Sequence, residues 1–158
     1  FKFEYQQYFF RKSTLHLGFC TENVFSFQPF YGNYTASLLS SPVYAPILET
    51  KALFNPDLRA HKYLSVGAQL IVSLSKNIDL RAEGYYFQPL NSLVEQEDGT
   101  TKYSELFLKR EVIVSMIGVY HSPVGPVSIS VNFYPEHPTP FTFMFNFGFL
   151  IFNQRGFN

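Results

Sequence analysis

The stretch Phe141-Thr142-Phe143-Met144-Phe145-Asn146-Phe147-Gly148-Phe149 sets five phenylalanines at alternate positions. A helix would scatter them around its circumference. A strand gathers them on one face, because its side chains alternate sides with a period of two. The other face then carries only Thr142, Met144, Asn146 and Gly148. Five rings in one row overfill most soluble cores of this size, but they suit the lipid-facing stripe and aromatic girdle of a membrane β-barrel.

The same period recurs upstream. Leu64, Val66, Ala68, Leu70, Val72 and Leu74 alternate with Ser65, Gly67, Gln69 and Ser73, and only Ile71 breaks the polar row. Val127, Ile129, Val131 and Phe133 alternate with Ser128, Ser130 and Asn132. Eight extended segments follow from this reading: Phe1 to Phe10, Thr14 to Phe27, Tyr34 to Tyr44, Tyr63 to Leu74, Ile78 to Phe87, Arg110 to Tyr120, Val127 to Phe133, and the terminal run. Tyr34 to Tyr44 is the weakest of them, since Ser40, Ser41 and Pro42 interrupt it. No helix-period segment of useful length is read. The fold class expected is all-β, with antiparallel hairpins.

Composition narrows the solvent. Charged residues make up 15% of the 158 and aromatics 19%, with 19 Phe, 11 Tyr and no Trp. Ordinary soluble domains carry roughly 25% charged residues, so part of this surface is expected to meet something other than water. No apolar run approaches the roughly 20 residues of a membrane helix, which leaves strands as the only way across a bilayer. Net charge is zero, and nothing points to nucleic acid as a partner. The single Cys20 forms no internal disulfide.

Connections between segments differ in length. Ser122–Pro126, Ser75–Asn77 and Phe30–Asn33 read as short turns, while Pro46–His61 and Pro89–Glu105 are long; Pro135–Pro140 is intermediate and Arg11–Ser13 an exception. Membrane barrels have short periplasmic turns and longer outer loops, which puts the C-terminus on the periplasmic side. The clusters Tyr85-Tyr86-Phe87 and Phe25–Tyr31 at strand ends fit interfacial belts. Asp79, Arg81 and Glu83 share one strand face and form a candidate lumenal ion-pair row.

The residues also carry a family likeness. His121-Ser122-Pro123-Val124-Gly125-Pro126-Val127 resembles the hairpin near the C-terminus of the outer-membrane barrel-assembly and two-partner-secretion superfamily, also called bacterial surface antigens, with Ser122, Pro123, Gly125 and Pro126 as its structural motif. A closer likeness is to the C-terminal region of patatin-like phospholipases of Bacteroidetes type. It rests on Ser37-Leu38-Leu39-Ser40-Ser41-Pro42, Thr50-Lys51-Ala52-Leu53-Phe54, Arg59-Ala60-His61-Lys62-Tyr63, Leu80-Arg81-Ala82-Glu83-Gly84-Tyr85 and Phe145-Asn146-Phe147-Gly148-Phe149. The resemblance implies that residues 1–158 are a single region, about the last eight strands of a sixteen-stranded transmembrane β-barrel. A POTRA-like linker and a patatin hydrolase domain would precede it. It implies residence in the bacterial outer membrane, with lipid, the barrel-assembly machinery and the upstream domains of the same chain as partners. The opening Phe-Lys-Phe-Glu-Tyr, already strand-like and without Met or signal peptide, reads as a fragment in the same sense. The terminal barrel signal is approached at Asn146, Gly148 and Ile151, but Asn153 stands where an apolar residue is expected.

Chemistry is expected elsewhere. No G-x-S-x-G elbow occurs, so this chain is not read as an enzyme; a lipase dyad of the parent would lie upstream of Phe1. No catalytic or cofactor-binding residue is assigned. His16, His61, His121 and His137 are isolated in sequence, so no metal site is assigned either; one would have to assemble by folding. Glu95, Glu97 and Asp98 read as a solvated outer loop. The leading expectation is a barrel module that anchors, and in its fuller form exports, an attached lipase domain. Its alternatives are a barrel-assembly or secretion pore and an autonomous eight-stranded barrel holding an apolar ligand.

Overall fold

The computed structural model describes residues 1–148 apart from Ser13 and Leu53, and the side chains of Phe10 to Lys12 are left aside. Phe149, the last ring of the expected stripe, lies outside the described residues, as do Ile151 and Asn153. Seven strands form one antiparallel meander in strict chain order. They are β1 (Lys2–Lys12), β2 (Leu15–Phe25), β3 (Lys62–Ser75), β4 (Ile78–Pro89), β7 (Glu111–Ser122), β8 (Gly125–Phe133) and β9 (Phe141–Phe147). The two missing numbers, β5 (Leu93–Glu95) and β6 (Thr101–Tyr103), make a separate small hairpin inside the connection from β4 to β7. The all-β antiparallel class therefore holds. Among the described residues the main sheet is not a closed barrel: β1 and β9 are its two edges.

One of the eight expected segments is not a strand. Tyr34 to Ser40 is a helix, α1, and the supposed turn Phe30–Asn33 leads into it. Asn33 caps it, Oδ1 accepting from the Ala36 amide at 2.7 Å, which satisfies a donor that the first turn leaves free. Ser37 and Leu38 are buried on one side of it. The reading that no helix was present is corrected by this element and by α2, Leu48–Ala52. The whole stretch 26–61 is thus one connection between β2 and β3.

Removing that strand repairs the loop pattern. The turns β1–β2, β3–β4 and β7–β8 are all short, with β3 and β4 joined through residues 76–77 and β7 and β8 through 123–124. At the opposite end lie the long connections 26–61 and 90–110 and the proline-rich 134–140. Arg11–Ser13 is no longer an exception. At the turn of the SPVGP hairpin, Gly125 takes φ 140°, which a residue with a Cβ rarely adopts, and Ser122 Oγ donates to its carbonyl at 2.5 Å.

The later part of the 26–61 connection, from Tyr44 to Ala60 apart from Leu53, lies against one face of the sheet, here called inner, while α1 packs on β5. Ile47 (3% exposed), Leu58 (1%) and Ala60 (0%) are buried there with Tyr44. The Tyr44 ring stacks on Phe87 at 5.3 Å and tilts against Tyr63 at 5.9 Å, joining this strap to β4 and β3. Segments that look like a polar loop in the sequence therefore carry much of the only sizeable core cluster among the described residues.

Candidate functional site

The two faces of the sheet have opposite chemistry, and the register shows how consistently. One outer row, read across the strand pairings, is Leu17–Leu70–Ala82–Met116–Val131–Phe143. The next is Leu15–Val72–Leu80–Gly118–Ile129–Phe145. Between them on the inner face runs the mixed row His16–Ile71–Arg81–Ile117–Ser130–Met144, and one step above the first comes the more polar Tyr8–Gly18–Gln69–Glu83–Ser115–Asn132–Thr142. A one-residue slip would exchange these sets completely.

The apolar set faces outward. Met116 is 60% exposed, Ile129 59% and Phe143 76%, while Ser115 and Asn132 beside them are 0% and 1%. From the row of Thr21, Val66 and Tyr86 to that of Leu15 and Phe145, no outward position on β2, β3, β4, β7, β8 or β9 carries a charge. Soluble proteins do the reverse. Seven strands about 4.8 Å apart make the face roughly 29 Å wide. The six steps from Val66 to Val72, at about 3.3 Å each and tilted about 40°, make the charge-free band roughly 15 Å tall. The resulting patch, on the order of 400 Å², is as large as the largest apolar patches of roughly 300–600 Å² on a typical monomer.

The inner face is filled, with buried polar groups beside the aromatic core cluster. Glu49 of α2, itself buried, accepts from the Asn132 amide and from Thr142 Oγ1 (2.5 Å), and Ser115 Oγ donates to Asn132 Oδ1 at 2.6 Å. Tyr63 Oη donates to Glu22, whose carboxylate also pairs with Lys2 at 3.2 Å. Burial raises the Tyr44 phenol well above its ordinary range, so this strap residue stays neutral. The ring of Tyr85 lies across Gly67, and that of Tyr8 across Gly18; a Cβ on Gly67 would stand 2.3 Å from the Tyr85 ring. Small residues on this face thus make room for neighbouring rings.

Asp79, Arg81 and Glu83 do share the inner face, but not as a continuous ion-pair row. Asp79 is held by His121 Nε2 at 2.8 Å and Ser73 Oγ at 2.7 Å, and reaches Arg81 only at 4.0 Å. Glu83 instead accepts from Tyr85 Oη at 2.9 Å. His16 sits near this group, lining a cavity with Tyr8, Asp79 and Arg81. Of the Tyr85-Tyr86-Phe87 cluster only Tyr86 points outward; Tyr85 and Phe87 are buried on the inner face, because an interfacial belt cannot use consecutive residues of one strand. Phe27, in the other cluster, is 82% exposed with the Lys62 ammonium 4.8 Å above its ring.

At the long-loop end, folding joins the remaining histidines to distant partners. His61 is fully buried, its Nδ1 2.8 Å from Tyr103 Oη, with Phe30 against both rings. Burial first, and the charge of Lys62 second, hold its imidazole below the usual histidine range. His137 comes beside Glu111 and Asp57, a grouping that no spacing in the sequence announces. Glu95, Glu97 and Asp98 stand at the tip of the β5–β6 hairpin, where Asp98 accepts from Thr100 Oγ1 at 2.6 Å and lies below its ordinary range for that reason. Glu49, Asn132 and Tyr44 carry the contact of strap and sheet; Asn132 was visible as a polar-face residue, but nothing local marked Glu49.

No protein-family model matches the sequence, and neither the curated proteins nor the solved structures include a match to this chain.

Proposed function

We propose that this chain is a membrane β-barrel module of a bacterial outer membrane, serving as the anchor of an attached patatin-like lipase domain. The observation that carries the membrane part is the inverted polarity of the sheet. Its uncovered face is apolar and uncharged from the row of Val66 to that of Val72, and its buried polar groups, Ser65, Ser115 and Asn132, lie on the covered face beside the aromatic cluster. Short turns at one end and long connections at the other support the same reading. The free edges of β1 and β9 are where further strands would pair to satisfy the backbone in lipid. The strap between β2 and β3 occupies the inner face, which favours an anchor over an open secretion pore. The lipase attachment rests on the sequence resemblance alone.

The test has two parts. Membranes from cells making the native polypeptide are washed with alkaline carbonate, and the protein is run on gels with and without boiling. Retention in the membrane and a faster-migrating unboiled band are expected; release into the wash would overturn the membrane reading. Peptide mapping of the same native polypeptide then asks whether a G-x-S-x-G peptide belongs to it. Its absence would remove the lipase attachment and leave the membrane module standing.

A further inference from the structure

We infer that Asp57, Glu111 and His137 form a binding site for one divalent transition-metal ion, with Zn²⁺ the best chemical fit. The three residues come from separate elements at the long-loop end. Asp57 lies in the single 3-10 turn Pro56–Leu58 of the strap, Glu111 opens β7, and His137 sits in the connection from β8 to β9. One ligand atom from each lies within 4.8 Å of the others.

What calls for a cation is the state of two of these groups. Glu111 is 7% exposed, and its one charged neighbour within 4 Å among the described residues is His137. His137 Nε2, 3.6 Å from Glu111 Oε2, is sealed from solvent and has no hydrogen-bond partner. Buried polar atoms in folded proteins are almost always satisfied, and a buried carboxylate needs a cation or a hydrogen-bond donor beside it. A single ion between the three side chains would satisfy both groups at once.

Geometry and charge fit that ion. Zinc bonds of about 2.0–2.2 Å to nitrogen and oxygen in a tetrahedron put ligand atoms roughly 3.3–3.6 Å apart. The His137–Glu111 separation is already there, and Asp57, on the rim, has to move in by about 1 Å. One imidazole and two carboxylates suit zinc or a similar borderline ion better than calcium, which takes oxygen ligands. A cleft of about 410 Å³, also lined by Lys109, Arg110 and Glu136, leaves room for water in the fourth position. Three carboxylates there face two cations. Lys109 Nζ now lies 3.3 Å from Asp57 Oδ1, and its half-exposed side chain can swing into solvent when the metal enters. The bound ion would tie the strap to β7 and to the 134–140 connection. The inference does not depend on whether the outer face meets lipid.

The experiment is a Co²⁺ and Zn²⁺ titration of the purified, metal-stripped full chain, followed by cobalt d–d absorption and by equilibrium dialysis. One equivalent is expected to bind, with a tetrahedral cobalt spectrum and zinc displacing cobalt. Glu111→Gln, His137→Gln and Asp57→Asn should each weaken binding by at least about tenfold. Asp57→Asn is nearly isosteric on the rim and keeps the comparison valid if the buried variants do not fold. Lys109→Ala removes the competing ammonium and should tighten binding. No uptake by the wild type at roughly 100 μM metal, a concentration that would fill even a weak site, would overturn the inference. So would stoichiometric binding that Asp57→Asn and His137→Gln leave unchanged, since the ion would then sit elsewhere.

Discussion

Arginine placed at two depths of one strand separates a lipid-facing surface from a wet one. Leu64 and Leu70 lie on the same face of β3 and are similarly exposed, 42% and 36%. The outward series Leu64 to Leu74 has its centre near residue 69. At about 2.5 Å of height per residue on a tilted strand, Leu70 lies roughly 3 Å from the midplane of the band and Leu64 roughly 13 Å from it. Arginine on the lipid face of a barrel costs about 2–4 kcal/mol at the midplane and about 0–1 kcal/mol near the interface. Leu70→Arg should therefore destabilise the vesicle-reconstituted protein by about 2–4 kcal/mol, and Leu64→Arg by no more than about 1 kcal/mol.

On a surface that meets water the same two changes fall within about 0.5 kcal/mol of neutral, and neither depth nor order matters. The assay is a reversible urea or guanidinium titration in short-chain phosphatidylcholine vesicles, read by far-UV circular dichroism because the chain has no Trp. Midpoints are compared only where the slopes agree, so that a change in midpoint is a change in stability. Equal small effects at residues 64 and 70 would falsify the membrane reading of this face. A larger penalty at 64 would refute the placement of the midplane.

Three further outcomes test the inner face. Gly67→Ala sets a methyl carbon against the Tyr85 ring and 2.8 Å from Cys20 Sγ; overpacking should cost about 1–3 kcal/mol. In a double-mutant cycle with Tyr85→Ala most of that cost should disappear, and full additivity would show that the ring is not the obstacle. Glu49→Ala leaves the Asn132 amide and the Thr142 hydroxyl without their acceptor, at about 1–3 kcal/mol for each buried group left unpaired; limited proteolysis should then cut within 34–61 sooner than in the wild type. The pH dependence follows from His61, whose folded pKa is depressed by burial and by Lys62. Below the ordinary histidine value of about 6.5 the unfolded chain takes up a proton that the folded one resists. Stability from this group is thus whole above about 6.5 and is lost as pH falls towards the depressed value; His61→Gln should flatten that part of the curve, and an unchanged curve would exclude His61 as its source.

The strands were legible because their signal is local and repeated. In β3, β4, β8 and β9 polarity alternates apart from Ile71, Tyr85, Phe87 and Met144, and the structure puts the two sets on opposite faces as the alternation implied. The strap was not legible for the converse reason. Its helices span Tyr34–Ser40 and Leu48–Ala52, too short to show a 3.6-residue period, and their burial comes from residues far away in sequence. Asn33 as a cap was available as a signal, but a capping residue after Gly32 reads equally well as a turn. The contacts of Glu49 with Asn132 and Thr142 join positions that nothing local connects, and the same holds for His137 with Asp57 and Glu111.

One inconsistency in the sequence did point to the error. Adjacent strands of a meander alternate between its two ends, so an extra strand shifts every connection on one side of it to the wrong end. Treating 34–44 as a strand made Arg11–Ser13 a short turn at the end where long loops belong. Deleting that strand repairs it without touching any other element. The sequence could not show, however, which face of the sheet would be covered. Each alternating strand is as compatible with an apolar core as with a lipid-facing stripe. The choice is made by the strap, which stacks Tyr44 on Phe87 of β4 and inserts Glu49 among Asn132 of β8 and Thr142 of β9. The strap buries Tyr44, Ile47, Leu58 and Ala60 with Tyr63, Phe87 and Ile113, and leaves Met116, Ile129 and Phe143 uncovered. Its hydrogen bonds to Asn132 and Thr142 lie on the same inner face, so the question of what meets the outer rings is set by the strap as much as by the strands.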